Sequence, residues 1–154
     1  DPYPLILGDA GCAILSRLQT AVLTTDGGER VMNKHETINY LEFPSRNLSA
    51  SKAFFSAVFG WTFTDYGPEY TAFSNAGMDG GLYAADQASI TANGSALVVF
   101  YSDNLEATQD NIESAGGLIV KPMFSFPGGR RFQFTEPAGN EFAVWTDRAV
   151  TESI

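Results

Sequence analysis

The chain has one cysteine, one histidine and few positive charges, and each scarcity closes off a class of function. Cys12 stands alone, so no disulfide framework within the chain can staple the fold. His35 alone cannot build a multi-histidine metal centre, and a Ser-His-Asp triad elsewhere would have no imidazole. Nine Lys and Arg stand against eighteen Asp and Glu, a formal charge of −9. A surface of that sign repels phosphate backbones and anionic lipid, which argues against nucleic-acid and membrane partners. No apolar run approaches the roughly 18 residues of a membrane-spanning helix, and a cytoplasmic setting is expected. What the chain does have is aromatic bulk: twelve Phe, six Tyr and two Trp in 154 residues. That length and composition suit one globular domain.

Residues 1–31 differ from the rest. Asp1-Pro2-Tyr3-Pro4 is a poor start for a regular element. Residues 12–23 have the spacing of a short helix, with Ile14, Leu15, Leu18, Ala21 and Val22 as its apolar stripe. A secretory leader fits badly, because the start is acidic and Arg17 and Gln19 interrupt the apolar run. Gly27-Gly28-Glu29-Arg30-Val31 precedes Met32 and reads like a translated ribosome-binding site. Two origins stand: read-through sequence ahead of a natural start at Met32, or a genuine arm that packs on the domain or on a partner subunit. The expected division is therefore an extension, 1–31, and a domain, 32–154.

From about residue 36 the pattern becomes regular. Ile38 to Phe43 reads as a strand, and Pro44-Ser45-Arg46-Asn47 as a turn. Asn47 or Ser49 can cap a helix over 48–59 that Gly60 stops. Strands follow at 61–66, 70–73 and 80–84, giving the order β-α-β-β-β. The order then recurs: a strand at 96–101, a helix from Leu105 to Gly116-Gly117, and strands at 118–121, 130–135 and 141–145. Asn47-Leu48 returns as Asn104-Leu105, Gly60 as Gly116 and Gly77 as Gly139. The domain is thus an internal repeat, with module one at about 36–84, module two at about 96–146 and the polar stretch 85–95 between them.

Two segments carry a family resemblance. Asn47 to Phe55, followed by Val58-Phe59-Gly60-Trp61, is similar to the first strand-helix unit of the vicinal oxygen chelate superfamily. Glu136-Pro137-Ala138-Gly139-Asn140-Glu141-Phe142 resembles that family's closing hairpin. The superfamily includes glyoxalase I, bleomycin and fosfomycin resistance proteins and extradiol dioxygenases. The resemblance covers about residues 36–146. It implies an α+β fold of two βαβββ modules forming a curled, open barrel-like sheet whose concave face is the site. It also implies a divalent metal held by side chains of the first and fourth strand of each module. Carried over, those positions are Tyr40, Gly81, Leu97 and Ala143, which offer no strong ligand for a divalent ion. No metal and no other cofactor is expected, and glyoxalase or dioxygenase chemistry loses its usual basis.

Strand alternation then sets the rest of the lining. Tyr40 brings Glu42; Leu97 brings Val99 and Tyr101; Ala143 brings Glu141 and Trp145; Gly81 brings Tyr83. The cup is aromatic and apolar, suited to a small organic ligand. Glu42 is the candidate catalytic residue: buried, it would act as a general acid or base. The alternative pairs it with Arg130 or Arg131, or leaves it in solvent. Arg131 is a candidate for an anionic ligand group, or else half of an exposed arginine pair. Glu141 is a lining carboxylate or a solvated hairpin end. His35 reads as a surface residue and Cys12 as inert. Phe54, Phe55 and Phe59 read as core, and Phe124, Phe126, Phe132 and Phe134 fit core or cup. Pro127-Gly128-Gly129 is a turn, without the context of a phosphate loop. Edge strands of a curled sheet need covering, so a homodimer is expected.

Overall fold

The computed structural model describes residues 33–149, so the extension and Cys12 lie outside the described residues. Module one comprises β1 (Tyr40–Ser45), α1 (Leu48–Phe59), β2 (Thr62–Asp65), β3 (Tyr70–Ser74) and β4 (Asp79–Ala84). Module two comprises β5 (Val98–Tyr101), α2 (Leu105–Ser114), β6 (Leu118–Phe126), β7 (Gly129–Thr135) and β8 (Glu141–Thr146). Each module forms its own four-stranded mixed sheet, ordered β1-β4-β3-β2 and β5-β8-β7-β6. In both, the first strand runs parallel to the fourth and the other pairs are antiparallel. The repeat read from the sequence is therefore a repeat of topology, and the paired βαβββ plan is present. The sheets do not close into a barrel.

The two helices start in the same way. Asn47 and Asn104 sit in extended backbone, and each side chain accepts a hydrogen bond from an N–H three residues on, Ala50 and Ala107, at 3.1 Å. Gly60 ends α1 at φ 70°, a conformation that a side chain disfavours, and its N–H donates to the Phe55 and Ser56 carbonyls.

Two strands run further than the sequence suggests. β1 spans Tyr40–Ser45 instead of 38–43, so Pro44 and Ser45 belong to the strand and not to a turn. The parallel register with β4 continues through Pro44↔Tyr83 and Ser45↔Ala84. Proline is tolerated there because β1 is an edge strand and its missing N–H costs no ladder bond. β6 runs on to Phe126 across two register shifts against β7. Those bulges hide its alternation from a pattern search.

A single core joins both modules. Phe43, Phe73 and Leu82 from one sheet meet Phe132, Phe134, Phe142 and Val144 from the other, with Phe54, Phe55, Leu105 and Ile112 from the helices. Phe55 stacks on Trp61 at 4.3 Å, and Phe59 on Phe100 at 4.1 Å. The helical phenylalanines are therefore core, as their spacing suggests. Of the four ambiguous ones, Phe132 and Phe134 are fully buried in it.

Candidate functional site

The alternate residues of each sheet face away from this core and carry the candidate site. On the first sheet, register places Glu42 opposite Gly81, Pro44 opposite Tyr83, Ala72 opposite Gly81 and Tyr70 opposite Tyr83. Tyr70, Ala72 and Tyr83 form a second small apolar cluster there, with Tyr66 and Ala85 against it.

Consecutive glycines shape this sheet. A Cβ on Gly80 would stand 2.2 Å from the Phe73 ring, and one on Gly81 would stand 2.1 Å from the Tyr70 hydroxyl. Two residues of β3 thus lay one ring over each glycine, Phe73 on the core face and Tyr70 on the outward face. From that position the Tyr70 hydroxyl reaches Tyr40 Oη at 2.5 Å and donates to Glu42 Oε1 at 3.0 Å. Burial pushes the Tyr40 phenol up to about 12, only partly offset by the bond to Tyr70. Burial raises Tyr70 as well, and the neighbouring phenol and carboxylate raise it further. The Glu42 carboxyl lies above its ordinary range through burial, and the Tyr70 hydroxyl acts against that shift.

Of the two readings of Glu42, the arginine pair does not form. Arg130 pairs with Glu106, and Arg131 lies over the Phe124 ring at 5.5 Å. Tyr70 is the residue the sequence reading missed. Its signal was available: adjacent glycines inside a strand mark places where a neighbouring group comes close.

The outward face of the second sheet is chemically different. Val99 lies opposite Ala143, and Tyr101 and Arg131 lie opposite Trp145. Leu97 is half-buried just before β5. Tyr101 meets Trp145 edge-on at 5.2 Å, and Phe126 lies 6.3 Å from Trp145. Arg131 donates to Gln133 at 3.2 Å, and its buried Nε makes no hydrogen bond with any described group. Val99 and Tyr101 remain exposed, whereas Ala143 is fully buried. The Tyr101 hydroxyl donates to Asp147 at 2.6 Å, which raises its pKa. Glu141 turns elsewhere: its carboxylate accepts the Thr91 N–H at 2.8 Å and holds the linker turn. His35 pairs with Glu36 in solvent. A hollow of about 120 Å³ lies to one side, lined by Lys34, Ile38, Asn39 and Asp79 among others, and includes none of the candidates.

Residues 37–144 match the model of the glyoxalase/bleomycin resistance protein/dioxygenase superfamily. The chain belongs to that superfamily. The anthracycline biosynthesis protein DnrV of Streptomyces peucetius is 34% identical over 129 residues, which is 69% of this chain and 45% of that protein. The chain thus spans about half the length of this relative. Among solved structures, a glyoxalase-related enzyme from Fulvimarina pelagi superposes with a TM-score of 0.60 at 17% identity, covering 77% of this chain and 99% of that one. The fosfomycin resistance protein FosX of Listeria monocytogenes gives 0.58 at 18%, covering 75% and 94%. At such identities the two structures speak for the fold alone.

Against the superfamily's metal site, the residues present do not fit. Gly81, Leu97 and Ala143 offer no donor at three of the four positions carried over, the fourth is the phenol of Tyr40, held protonated by burial, and a tyrosine ring covers Gly81. Among the described residues, no three His, Cys, Asp or Glu side chains gather closely enough to hold an ion.

Proposed function

We propose that this domain binds a small apolar or aromatic organic molecule on its outward sheet faces, without a metal ion. The observation that carries this reading is Tyr70 lying over Gly81 and bonded to Tyr40 and Glu42, where the superfamily places an ion. The Tyr101–Trp145–Phe126 group on the second sheet supplies flat, polarisable surface for such a ligand, and the tyrosine cluster on the first sheet is buried beside the half-buried Tyr40 and Glu42. The name of DnrV, an anthracycline biosynthesis protein, supports an aromatic ligand class. The homodimer belongs to this reading too: β1 and β5 are edge strands, and Val99 and Tyr101 on β5 are exposed. A cytoplasmic setting completes it, and no helix among the described residues is long and apolar enough to cross a membrane.

A thermal-shift screen across divalent metals and polycyclic aromatic compounds tests the proposal, since a ligand of the native state raises the melting temperature. Aromatic compounds should stabilise the domain while Ni, Zn, Fe and Mn leave it unchanged. One tightly held ion per chain after dialysis would overturn it. Light scattering at micromolar concentration should give twice the chain mass.

A second reading rests on Glu42. A half-buried carboxyl held above its ordinary range beside two phenols suits a general acid or base for a lyase or isomerase reaction. Turnover lost in Glu42→Gln with ligand affinity kept would favour it over binding alone.

A further inference from the structure

We propose that the Tyr40–Tyr70–Glu42 cluster is a one-way acceptor site that selects the protonated amine of its ligand. This deepens the reading of the domain as a binder of aromatic molecules and rests on it. Each phenol carries one proton. Tyr70 spends its proton on Glu42 Oε1, at 3.0 Å. The 2.5 Å contact between the phenols must then be donated by Tyr40, which spends the second proton. A chain that runs Tyr40 to Tyr70 to carboxylate has no donor left for a ligand. Its remaining capacity is lone pairs, on the Tyr40 oxygen and on Glu42 Oε2, which accepts no hydrogen bond among the described residues. A ligand group docking there must bring its own donors.

Charge narrows the class further. Glu42 carries the negative charge of the cluster, and the chain as a whole stands at −9. Tyr66, half-buried against this cluster, adds an electron-rich ring to the same side, while Tyr70 and Tyr83 themselves are buried. An ammonium group satisfies both demands; a carboxylate or carbonyl satisfies neither. The second sheet is the opposite pole, since Arg131 offers donors and a positive charge.

Three probes sharing one ring system test this at pH 8 by calorimetry: 2-naphthylmethylamine, its trimethylammonium analogue and 2-naphthoate. The amine should bind at least about tenfold tighter than the trimethylammonium ion, which keeps the charge and loses the donors. Glu42→Gln and Tyr70→Phe should each erase that margin. Arg131→Gln should weaken naphthoate binding. Equal binding of the amine and its trimethylammonium analogue, or a margin that survives Glu42→Gln, overturns the inference while leaving the aromatic-binding reading intact. Binding by none of the three overturns both. The melting temperature of each variant, taken alongside, separates lost recognition from lost folding.

Discussion

Gly81 shows how much one absent side chain can hold. Its missing Cβ is the space that the Tyr70 hydroxyl and Cζ occupy, at 2.1 and 2.4 Å from where that atom would stand. Gly81→Ala should force the ring away and cost about 1–3 kcal/mol by urea unfolding. In a Tyr70→Ala background the same substitution should cost almost nothing, and this non-additivity identifies the contact. The neighbouring carboxyl gives a pH signature. Because the folded state raises the Glu42 pKa, its contribution to stability is full below the unfolded value and lost as pH rises through the folded one. Glu42→Gln, which never ionises, should therefore gain melting temperature on wild type between pH 4 and pH 8. Tyr40 titrates at the other end of the scale. With its phenol pushed up to about 12, absorbance near 295 nm should show it still protonated at pH 10, and Tyr40→Phe should remove only the late-titrating component.

At the scale of elements, the twin Asn caps are the clearest test of the repeat. Asn47→Ala and Asn104→Ala should each cost about 1 kcal/mol in chemical denaturation, and about the sum when combined, because the caps start different helices. These elements were also the most legible in the sequence. Asparagine before an apolar helical stripe and glycine after it are local signals, and both modules repeat them. β1 and β6 were misplaced for non-local reasons. Pro44 looks like a turn until its edge position is known, and the bulges of β6 break the period of two. The site divided in the same way. Alternation put Glu42, Tyr83, Val99 and Trp145 on the outward faces, because parity is a property of each strand alone. That Tyr70 crosses Gly81 to reach Glu42 depends on which strands are neighbours, and local patterns do not carry that.

For the whole molecule, the joint between the modules is polar and buried. The Glu136 carboxylate, 2% exposed, accepts from Ser51 Oγ at 2.9 Å and from the Asn140 side chain at 3.1 Å. Asn140 also donates to the Pro44 carbonyl at 2.7 Å and accepts the Ser89 N–H at 2.8 Å. One hairpin turn thereby fastens β1, α1 and the linker. Asn140→Ala strands a buried carbonyl and an amide and should cost about 3 kcal/mol, read as a lower denaturant midpoint. A smaller loss, under about 1 kcal/mol, would mean that the aromatic core alone holds the modules together. The closing hairpin that first suggested the family is thus a structural fastening in this chain.

The paired glycines of β4 also constrain how this protein can change. A carboxylate placed at position 81 would collide with Tyr70, and a smaller residue at position 70 would first leave Glu42 and Tyr40 without their shared hydroxyl. Each single step is a loss, and only the two together open a route to an ion site. The ring over Gly81 therefore works as a ratchet: random substitution can erode this arrangement, but it cannot carry the chain to metal chemistry one neutral step at a time.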